Sequence, residues 1–218
     1  MSEVIVTVRG EQERRVAPER AVVQLSVRAD GPERGPVVER VTSLSEPLRD
    51  DLIAHRRSGE VVDWSSGRVS VWAERPWNSE GRQLPPVHHA SVEITATFGD
   101  FDALSWWVGE IADTDEVQIG DIRWELSPGT RARVEQEVAA EAVQVAVARA
   151  TAYAEALGLD AVTPLEMADA GLLLPKPDQA PKMMRAMAMA ADAASGAVAL
   201  QPADIVVTAA VEARFLAR

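Results

Sequence analysis

Tryptophan side chains are the residues of this sequence best suited to binding a ligand or a partner subunit. Three of the six tryptophans, Trp64, Trp72 and Trp77, lie close together along the chain. An indole ring offers a large apolar surface and one polar N–H group, and tryptophan is enriched at binding hot spots. Trp64 and Trp72 share strand parity, so an unbulged strand places both on one face. We expect a ligand pocket or a subunit interface here; packing in the core is the alternative.

A methionine-rich run offers a second candidate contact surface. Met183, Met184 and Met187 belong to the segment Leu174–Gly196, which also contains several prolines and many alanines. Methionine is flexible and polarisable, so it suits apolar surfaces that adapt to a partner. We expect the segment to form a mobile loop that contacts another subunit, a ligand or a protein partner. A soft-metal site and reversible oxidation are the alternatives.

The sequence contains no recognisable catalytic or metal-binding motif. It has no cysteine, which excludes thiolate catalysis and cysteine-ligated metals. His88 and His89 are adjacent on a predicted strand and point to opposite faces, so they cannot easily share a metal. The acidic stretch Asp113–Asp121 lacks the spacing of a calcium-binding loop, and Ser65–Gly67 is not a nucleophile elbow. We predict a protein that is not an enzyme and has no cofactor; we assign no catalytic, cofactor-binding or metal-ligating residue.

The charge balance disfavours two classes of partner. Acidic residues outnumber basic ones by 34 to 22, which gives a formal net charge of −12. Most of such a surface repels a phosphate backbone, so we expect no nucleic-acid binding. No segment approaches the roughly 20 apolar residues that cross a bilayer, so we expect no membrane insertion. The run Val4–Val8 is too short and polar for a signal peptide, which favours a cytoplasmic protein over one whose leader was removed.

A long predicted helix over Thr130–Gly158 is the largest element available to support such surfaces. Its apolar face is rich in alanine and valine, so the helix backbone can lie close to a sheet. The opposite stripe includes Glu137, Glu141 and Glu155, which we expect to be solvated. The residues that we expect on the packed face are Val134, Val138, Ala142, Val145, Arg149, Ala152, Tyr153 and Ala156.

Alternation and turn residues predict the strands and helices of the first half of the chain. Val4–Val8 and Ala21–Ala29 are predicted to pair as a hairpin across the charged connection Gly10–Arg15. Helical spacing over Val37–Arg57 predicts a helix that Pro47 kinks or divides. Glu60–Glu74 is predicted to be one strand, bulged near Ser66 and Gly67.

The remaining patterns complete an α+β fold. They predict strands at Val87–Phe98, Val117–Leu126, Val162–Ala168 and Ala203–Leu216, and a helix at Ala103–Ile111 with Asp100 as its N-cap. Helices alternate with short groups of strands in this order. We therefore predict a mainly antiparallel sheet with helices packed on one face, one of them the long Ala-rich helix.

Four sequence blocks, taken in order, resemble the SIMPL-domain family, also called domain of unknown function 541. They are VIVTVRGEQERRVAPERAVVQLSV, HHASVEITATFGDFDAL, the long helix with its Ala148–Ala150 segment and Leu157–Gly158 ending, and QPADIVVTAAVEARFL. Pro18–Glu19 stands where family members typically have a Pro-Asp step. The blocks span nearly the whole chain, and their order and spacing carry the resemblance.

The resemblance implies an α+β fold, a tendency to self-assemble and no established active site. Family members are often exported, and some are associated with stress tolerance or signalling. We therefore predict a single SIMPL-like domain over residues 1–218 with a mobile loop at 174–196. The expected function is that of a non-enzymatic homo-oligomer, loosely associated with stress response or signalling. The alternative is a small-molecule-binding module or weak hydrolase with a pocket lined by Trp64, Trp72 and Trp77.

Overall fold

The computed structural model describes residues 3–173 and 200–218. Its elements in chain order are β1 (Val4–Val16), β2 (Arg20–Gly31), α1 (Arg34–Ser58), β3 (Val61–Ser66), β4 (Ser70–Glu74), β5 (Val87–Phe98), α2 (Phe101–Ile111), β6 (Val117–Glu125), α3 (Pro128–Ala156), β7 (Val162–Asp169) and β8 (Ile205–Ala217). The strands pair antiparallel. The predicted α+β class is confirmed.

The described residues form two compact units, each with its own sheet. The first unit contains β1, α3, β7 and β8, and its strand order is β1-β8-β7. The second contains the elements from β2 to β6, with the strand order β3-β5-β2-β6 and β4 paired to β5 as well. The single domain predicted over residues 1–218 thus contains two sheets. The mobile loop predicted at 174–196 lies outside the described residues.

The first sheet is built around the pairing of β1 with β8. The two strands stay in register from Val4–Ala217 to Val16–Ile205, so every second residue of each strand faces α3. Burial of these apolar residues against the small side chains of α3 forms one core. Its buried members are Val6, Val8, Val211, Ala213, Phe215 and Ala217 from the strands, and Ala142, Ala146, Ala150 and Ala154 from α3.

The predicted hairpin between the first two strands is wrong, because these strands belong to different sheets. β1 pairs with β8, whereas β2 pairs with β5 and β6. The charged connection predicted at Gly10–Arg15 is also wrong, since these residues continue β1. Their charges fit a strand because Glu11, Glu13 and Arg15 lie on its exposed face.

α3 is the long helix predicted from the sequence. The Ser127 side chain caps its start by accepting a hydrogen bond from the Thr130 backbone N–H, with a donor–acceptor distance of 3.3 Å. Gly158 follows its end with a φ of 72°. A positive φ suits glycine because any β-carbon would be strained there. The Leu157–Gly158 ending of the sequence block therefore reflects a backbone requirement.

The buried face of α3 matches the predicted one in its first half only. Val134, Val138 and Ala142 are buried, and the stripe then continues through Ala146, Ala150 and Ala154. The predicted positions Arg149, Ala152, Tyr153 and Ala156 are exposed. The cause is the spacing: buried residues recur every four positions, so the stripe drifts away from the 3.6-residue period that the prediction assumed.

Two glutamates of α3 that were predicted to be solvated instead bind β1. Arg14 forms ion pairs with Glu137 and Glu141, and Gln12 Nε2 donates to Glu141 Oε2 at 2.9 Å. Hydrogen bonds from Arg133 and then from Arg14 lower the pKa of the Glu137 carboxyl. The prediction was wrong at these two positions because Arg14 was assigned to a loop rather than to the strand under the helix.

The second sheet is centred on β2, which lies between β5 and β6. The odd-numbered residues from Ala21 to Ala29 pair with even-numbered residues of β5 and are buried against α1 and α2. The even-numbered residues of β2 lie on the opposite side of the sheet, which we call the open face. Gln24, Arg28 and Asp30 are exposed there.

The second unit has two helices, α1, which contains a proline, and α2, which begins at a side-chain cap. α1 continues through Pro47 rather than dividing there, because Val41 before the proline and Leu48 and Leu52 after it are all buried in the same core. α2 begins at the predicted N-cap: the Asp100 carboxylate accepts from the Ala103 backbone N–H at 3.0 Å.

The single strand predicted over Glu60–Glu74 is two strands, β3 and β4, which both pair with β5. The chain leaves the strand conformation after Ser66, where the Gly67 N–H donates to Glu93 O at 2.8 Å. This break resets the alternation. Trp64 therefore lies opposite Ala96 on the core side, whereas Trp72 lies opposite His89 on the open face. A shared face for the two indoles was predicted only for an unbulged strand, and the interruption after Ser66 means that this condition is not met.

Candidate functional site

A groove lies on the open face of the second sheet, where β6 begins. β2 stays paired with β5 as far as Gly31–His88, but its register with β6 ends at Val27–Val117. The last residues of β2 therefore extend beyond β6 and leave a notch beside them. The groove there has a volume of about 770 Å³, which is within the range of small-molecule sites.

The floor of the groove carries a row of three side chains on neighbouring strands. Trp72 of β4 is opposite His89 of β5, and His89 is opposite Asp30 of β2. The indole and imidazole rings stack, with centroids 5.3 Å apart and 17° between their planes. Trp72 is nonetheless 43% exposed. The row thus presents an open aromatic surface with a carboxylate two strands away.

A second row lies beside the first on the same face. Arg28 of β2 is opposite Ser91 of β5, two positions along each strand from Asp30 and His89. The Arg28 backbone N–H donates to Glu116 O at 2.8 Å, which holds the residue before β6 against β2. The floor therefore combines aromatic, hydroxyl and charged groups.

An ion pair between Arg40 of α1 and Glu116 forms the rim of the groove. Arg40 Nε donates to Glu116 Oε1 at 3.0 Å, and a terminal guanidinium nitrogen contacts the same oxygen. The hydrogen bond from Arg40 lowers the pKa of the Glu116 carboxyl below its ordinary value. The same hydrogen bond raises the pKa of the Arg40 guanidinium. Both groups are therefore charged at neutral pH.

The groove carries more negative than positive charge. Its lining includes the carboxylates of Asp30, Asp115 and Glu116 and the guanidinium groups of Arg28 and Arg40. Three against two gives a local charge of −1 when His89 is counted as neutral. Because Arg40 is engaged by Glu116, the groups left to face a ligand are Arg28, Asp30 and Asp115.

The three tryptophans predicted to form one site are not brought together. Trp72 lines the groove. Trp64 packs from the opposite side of the sheet against the core of the second unit. Trp77 lies in the loop between β4 and β5, is 67% exposed and forms a bridge with Gln83. The groove that Trp72 lines is thus completed by histidine, arginine, serine and acidic residues rather than by other tryptophans.

The other candidate residues fall outside the groove or outside the described chain. Met183, Met184 and Met187 lie outside the described residues. His88 and His89 point to opposite faces of β5, as predicted from their adjacency. Among residues 3–173 and 200–218, histidine and acidic side chains form no group of three able to hold a metal.

The groove has polar groups but no assembled nucleophile and base. Ser91 and His89 lie on one face of β5 two positions apart, which corresponds to roughly 6.6 Å along an extended strand. In the described part of the chain, no hydrogen bond joins these two side chains.

The family of the chain follows from a match over almost its entire length. A family model described as SIMPL, a protein of unknown function (DUF541), matches residues 6–215. The chain belongs to the SIMPL family. The match runs from β1 to β8 and so includes both sheets of this SIMPL protein. No curated protein matches it.

Membrane-spanning helices are not found in the described part of the SIMPL protein. Even α3, at 29 residues, is not apolar enough to cross a bilayer. Its buried stripe is narrow, and charged residues occupy much of the remaining surface.

The sequence prediction missed most of the groove of this SIMPL protein. The alternation of β2 already placed Arg28 and Asp30 on a polar face, so their shared face could have been recognised. The contribution of Arg40 and Glu116 could not have been recognised from the sequence. These residues are far apart in the chain and meet only because β6 begins beside β2. Trp72 was predicted as a contact residue together with Trp64 and Trp77, whereas the structure places it in a row with His89 and Asp30.

Proposed function

We propose that this SIMPL protein is non-enzymatic and acts as a homo-oligomer, with the face around β7 as its contact surface. β7 is an edge strand of the first sheet. Leu165 and Met167 of β7 are 49% and 46% exposed, and Leu172 in the turn that follows is 76% exposed. This apolar edge is the observation that carries the proposal.

The packing of α3 explains why this edge is uncovered. The alanine stripe of α3 packs on β1 and β8, and β7 contributes Val162 at the margin of that core. The register of β7 also shifts between Pro164 and Glu166, so Leu165 is a bulged residue. A bulge disfavours continuous strand pairing at an edge. Side-chain packing by a second copy is therefore the mode of contact that we propose.

Sedimentation velocity of the full chain at micromolar concentration tests the assembly. The wild type is expected to sediment as an oligomer. Met167→Glu places a charge in the contact and is expected to raise the dissociation constant by about 30-fold or more, as for a binding hot spot of at least 2 kcal/mol. Leu84→Glu, at an exposed leucine of the second unit, is the matched control and should leave association unchanged. A strictly monomeric wild type would overturn the proposal.

A second candidate function is that of a small-molecule-binding module, and the groove beside Trp72 favours it. The groove is of suitable volume, and a partly exposed indole on its floor is stacked on His89. A screen of small-molecule fragments against the wild type and against Trp72→Ala tests it by ligand-observed nuclear magnetic resonance. Fragments that bind the wild type but not the variant support this function. A screen in which no fragment depends on Trp72 counts against it.

We also propose that the protein is associated with stress response or signalling. Its support is the family resemblance. A deletion strain that grows like its parent under oxidative, osmotic and heat stress would contradict an association with stress response.

A further inference from the structure

We propose that the groove beside Trp72 binds small organic cations, of the quaternary or alkylated ammonium class. This inference rests on the ligand-binding function proposed for the groove and adds the chemical class of the ligand.

The indole of Trp72 provides the surface for the cation. One of its faces stacks on His89, and the side chain is still 43% exposed, so the remaining ring surface is available to a ligand. The face of an aromatic ring carries negative potential, and tryptophan attracts cations most strongly. An ammonium group with methyl substituents also buries apolar surface against the ring.

Carboxylates supply the second half of the recognition. Asp30 is at the other end of the Trp72–His89–Asp30 row, and Asp115 lines the same groove. Neither forms an ion pair among the described residues. Cross-strand neighbours are about 5 Å apart, so the row from Trp72 to Asp30 spans roughly 10 Å. An ammonium group over the middle of this row is roughly 5 Å from each end, so it can contact the indole ring and still be attracted by the Asp30 carboxylate.

The guanidinium groups of the groove do not reverse this charge preference. Arg40 is held by Glu116 on the rim. Arg28 remains, and it is placed on the second row beside Ser91 rather than between Trp72 and Asp30. A hydroxyl or other acceptor on the far end of the ligand would suit Arg28 and Ser91. The site thus favours a cation that carries a polar tail over a bare ammonium ion.

Isothermal titration of the full chain with choline and with 3,3-dimethylbutan-1-ol tests the assignment. These two molecules have nearly the same shape and differ in charge. Choline is expected to bind at least about tenfold more tightly, because only choline carries the charge that the ring and the carboxylates attract. Trp72→Ala and Asp30→Asn should each weaken choline binding by about fivefold or more. Trp106→Ala, which removes another exposed indole of the same unit, should not weaken it.

The outcomes separate the class of ligand from the existence of the site. Equal binding of the neutral alcohol and choline, lost in both cases in Trp72→Ala, would overturn the cationic assignment and leave the ligand-binding function intact. If millimolar choline produces no heat of binding, the cationic assignment is overturned as well. The fragment screen then tests the ligand-binding function independently. Choline binding that survives both Trp72→Ala and Asp30→Asn would place the cation elsewhere and overturn the inference.

Discussion

At Gly10 the backbone of β1 lies directly against the backbone of α3. A β-carbon at this position would lie 2.7 Å from the Ala146 nitrogen and closer still to the Ala142 carbonyl oxygen. Both are backbone atoms of a helix, so neither can rotate away as a side chain would. The alanine stripe and this glycine together let the helix lie directly on the strand.

Gly10→Ala is therefore expected to destabilise the protein by about 3 kcal/mol, since an added group in a close-packed core forces the backbone apart. Urea unfolding of the full chain measures the loss. Gly109→Ala in α2 is the matched control: nothing lies within 4 Å of an added β-carbon there. It should raise stability by roughly 0.5 to 1 kcal/mol, because alanine is the better helix former. Equal effects of the two substitutions would contradict the close contact.

The Arg40–Glu116 ion pair makes the stability of the folded protein depend on pH. The pKa of the Glu116 carboxyl is lowered in the folded protein by its hydrogen bond from Arg40. A lowered folded pKa adds stability above the ordinary value of 4.5, and that stability is lost as the pH falls through the folded pKa.

Arg40→Gln should raise the pKa of Glu116 toward 4.5, because the charged donor is removed. Titration of the side-chain carboxyl carbons by nuclear magnetic resonance measures this change. Glu60 serves as an internal control, since its pKa is lowered by hydrogen bonds from Ser58 and His55 instead. A Glu116 pKa that does not move in Arg40→Gln would show that the ion pair is absent in solution.

At the scale of elements, helix ends are determined by local residues. The Asp100 carboxylate accepts from the backbone N–H groups of Asp102 and Ala103, both at 3.0 Å. These are N–H groups that the first turn of a helix cannot pair by itself. The cap could be predicted from the sequence because donor and acceptor are neighbours in the chain.

Asp100→Ala should lower the free energy of unfolding by about 1 kcal/mol, the usual effect of losing an N-cap. Chemical unfolding followed by far-ultraviolet circular dichroism measures it. Asp113→Ala, at an exposed aspartate just after α2, is the control and should change stability by less than about 0.5 kcal/mol. If Asp100→Asn, which keeps an acceptor oxygen, loses as much stability as Asp100→Ala, the capping explanation fails.

Elements that depend on distant partners could not be predicted in this way. Gly10–Arg15 looks like a charged loop until β8 pairs with it and α3 supplies Glu137 and Glu141 to Arg14. Likewise, the parity of Trp72 depended on a break after Ser66 that is stabilised by Glu93 of another strand. Local patterning thus identified β5, α2 and α3 closely, whereas strand partners and the groove required long-range contacts.

At the scale of the whole molecule, the net charge of −12 opposes association between copies. Like charges on approaching chains repel each other over roughly the Debye length, which falls from about 30 Å at 0.01 M salt to about 3 Å at 1 M. The apolar contact proposed at Leu165 and Met167 is not weakened by salt in this way.

The oligomer is therefore expected to become tighter as sodium chloride rises from about 0.01 to 1 M. Sedimentation velocity across this range measures the dissociation constant. Choline binding by the groove should change in the opposite sense, because it depends on attraction between unlike charges. An oligomer that dissociates at high salt would indicate that charge pairs, rather than the apolar edge of β7, hold the copies together.

The pairing of β1 with β8 also has a consequence for how the protein is made. The elements from β2 to β6 are continuous in the chain, so the second sheet can close while translation is still under way. β1 precedes these elements in the chain, yet its partner in the sheet spans Ile205–Ala217 and is synthesised after them. The first sheet can therefore be completed only after all the strands of the second sheet have been made. During that interval β1 is an unpaired strand, and its charged Gly10–Arg15 half helps to keep a nascent chain from aggregating.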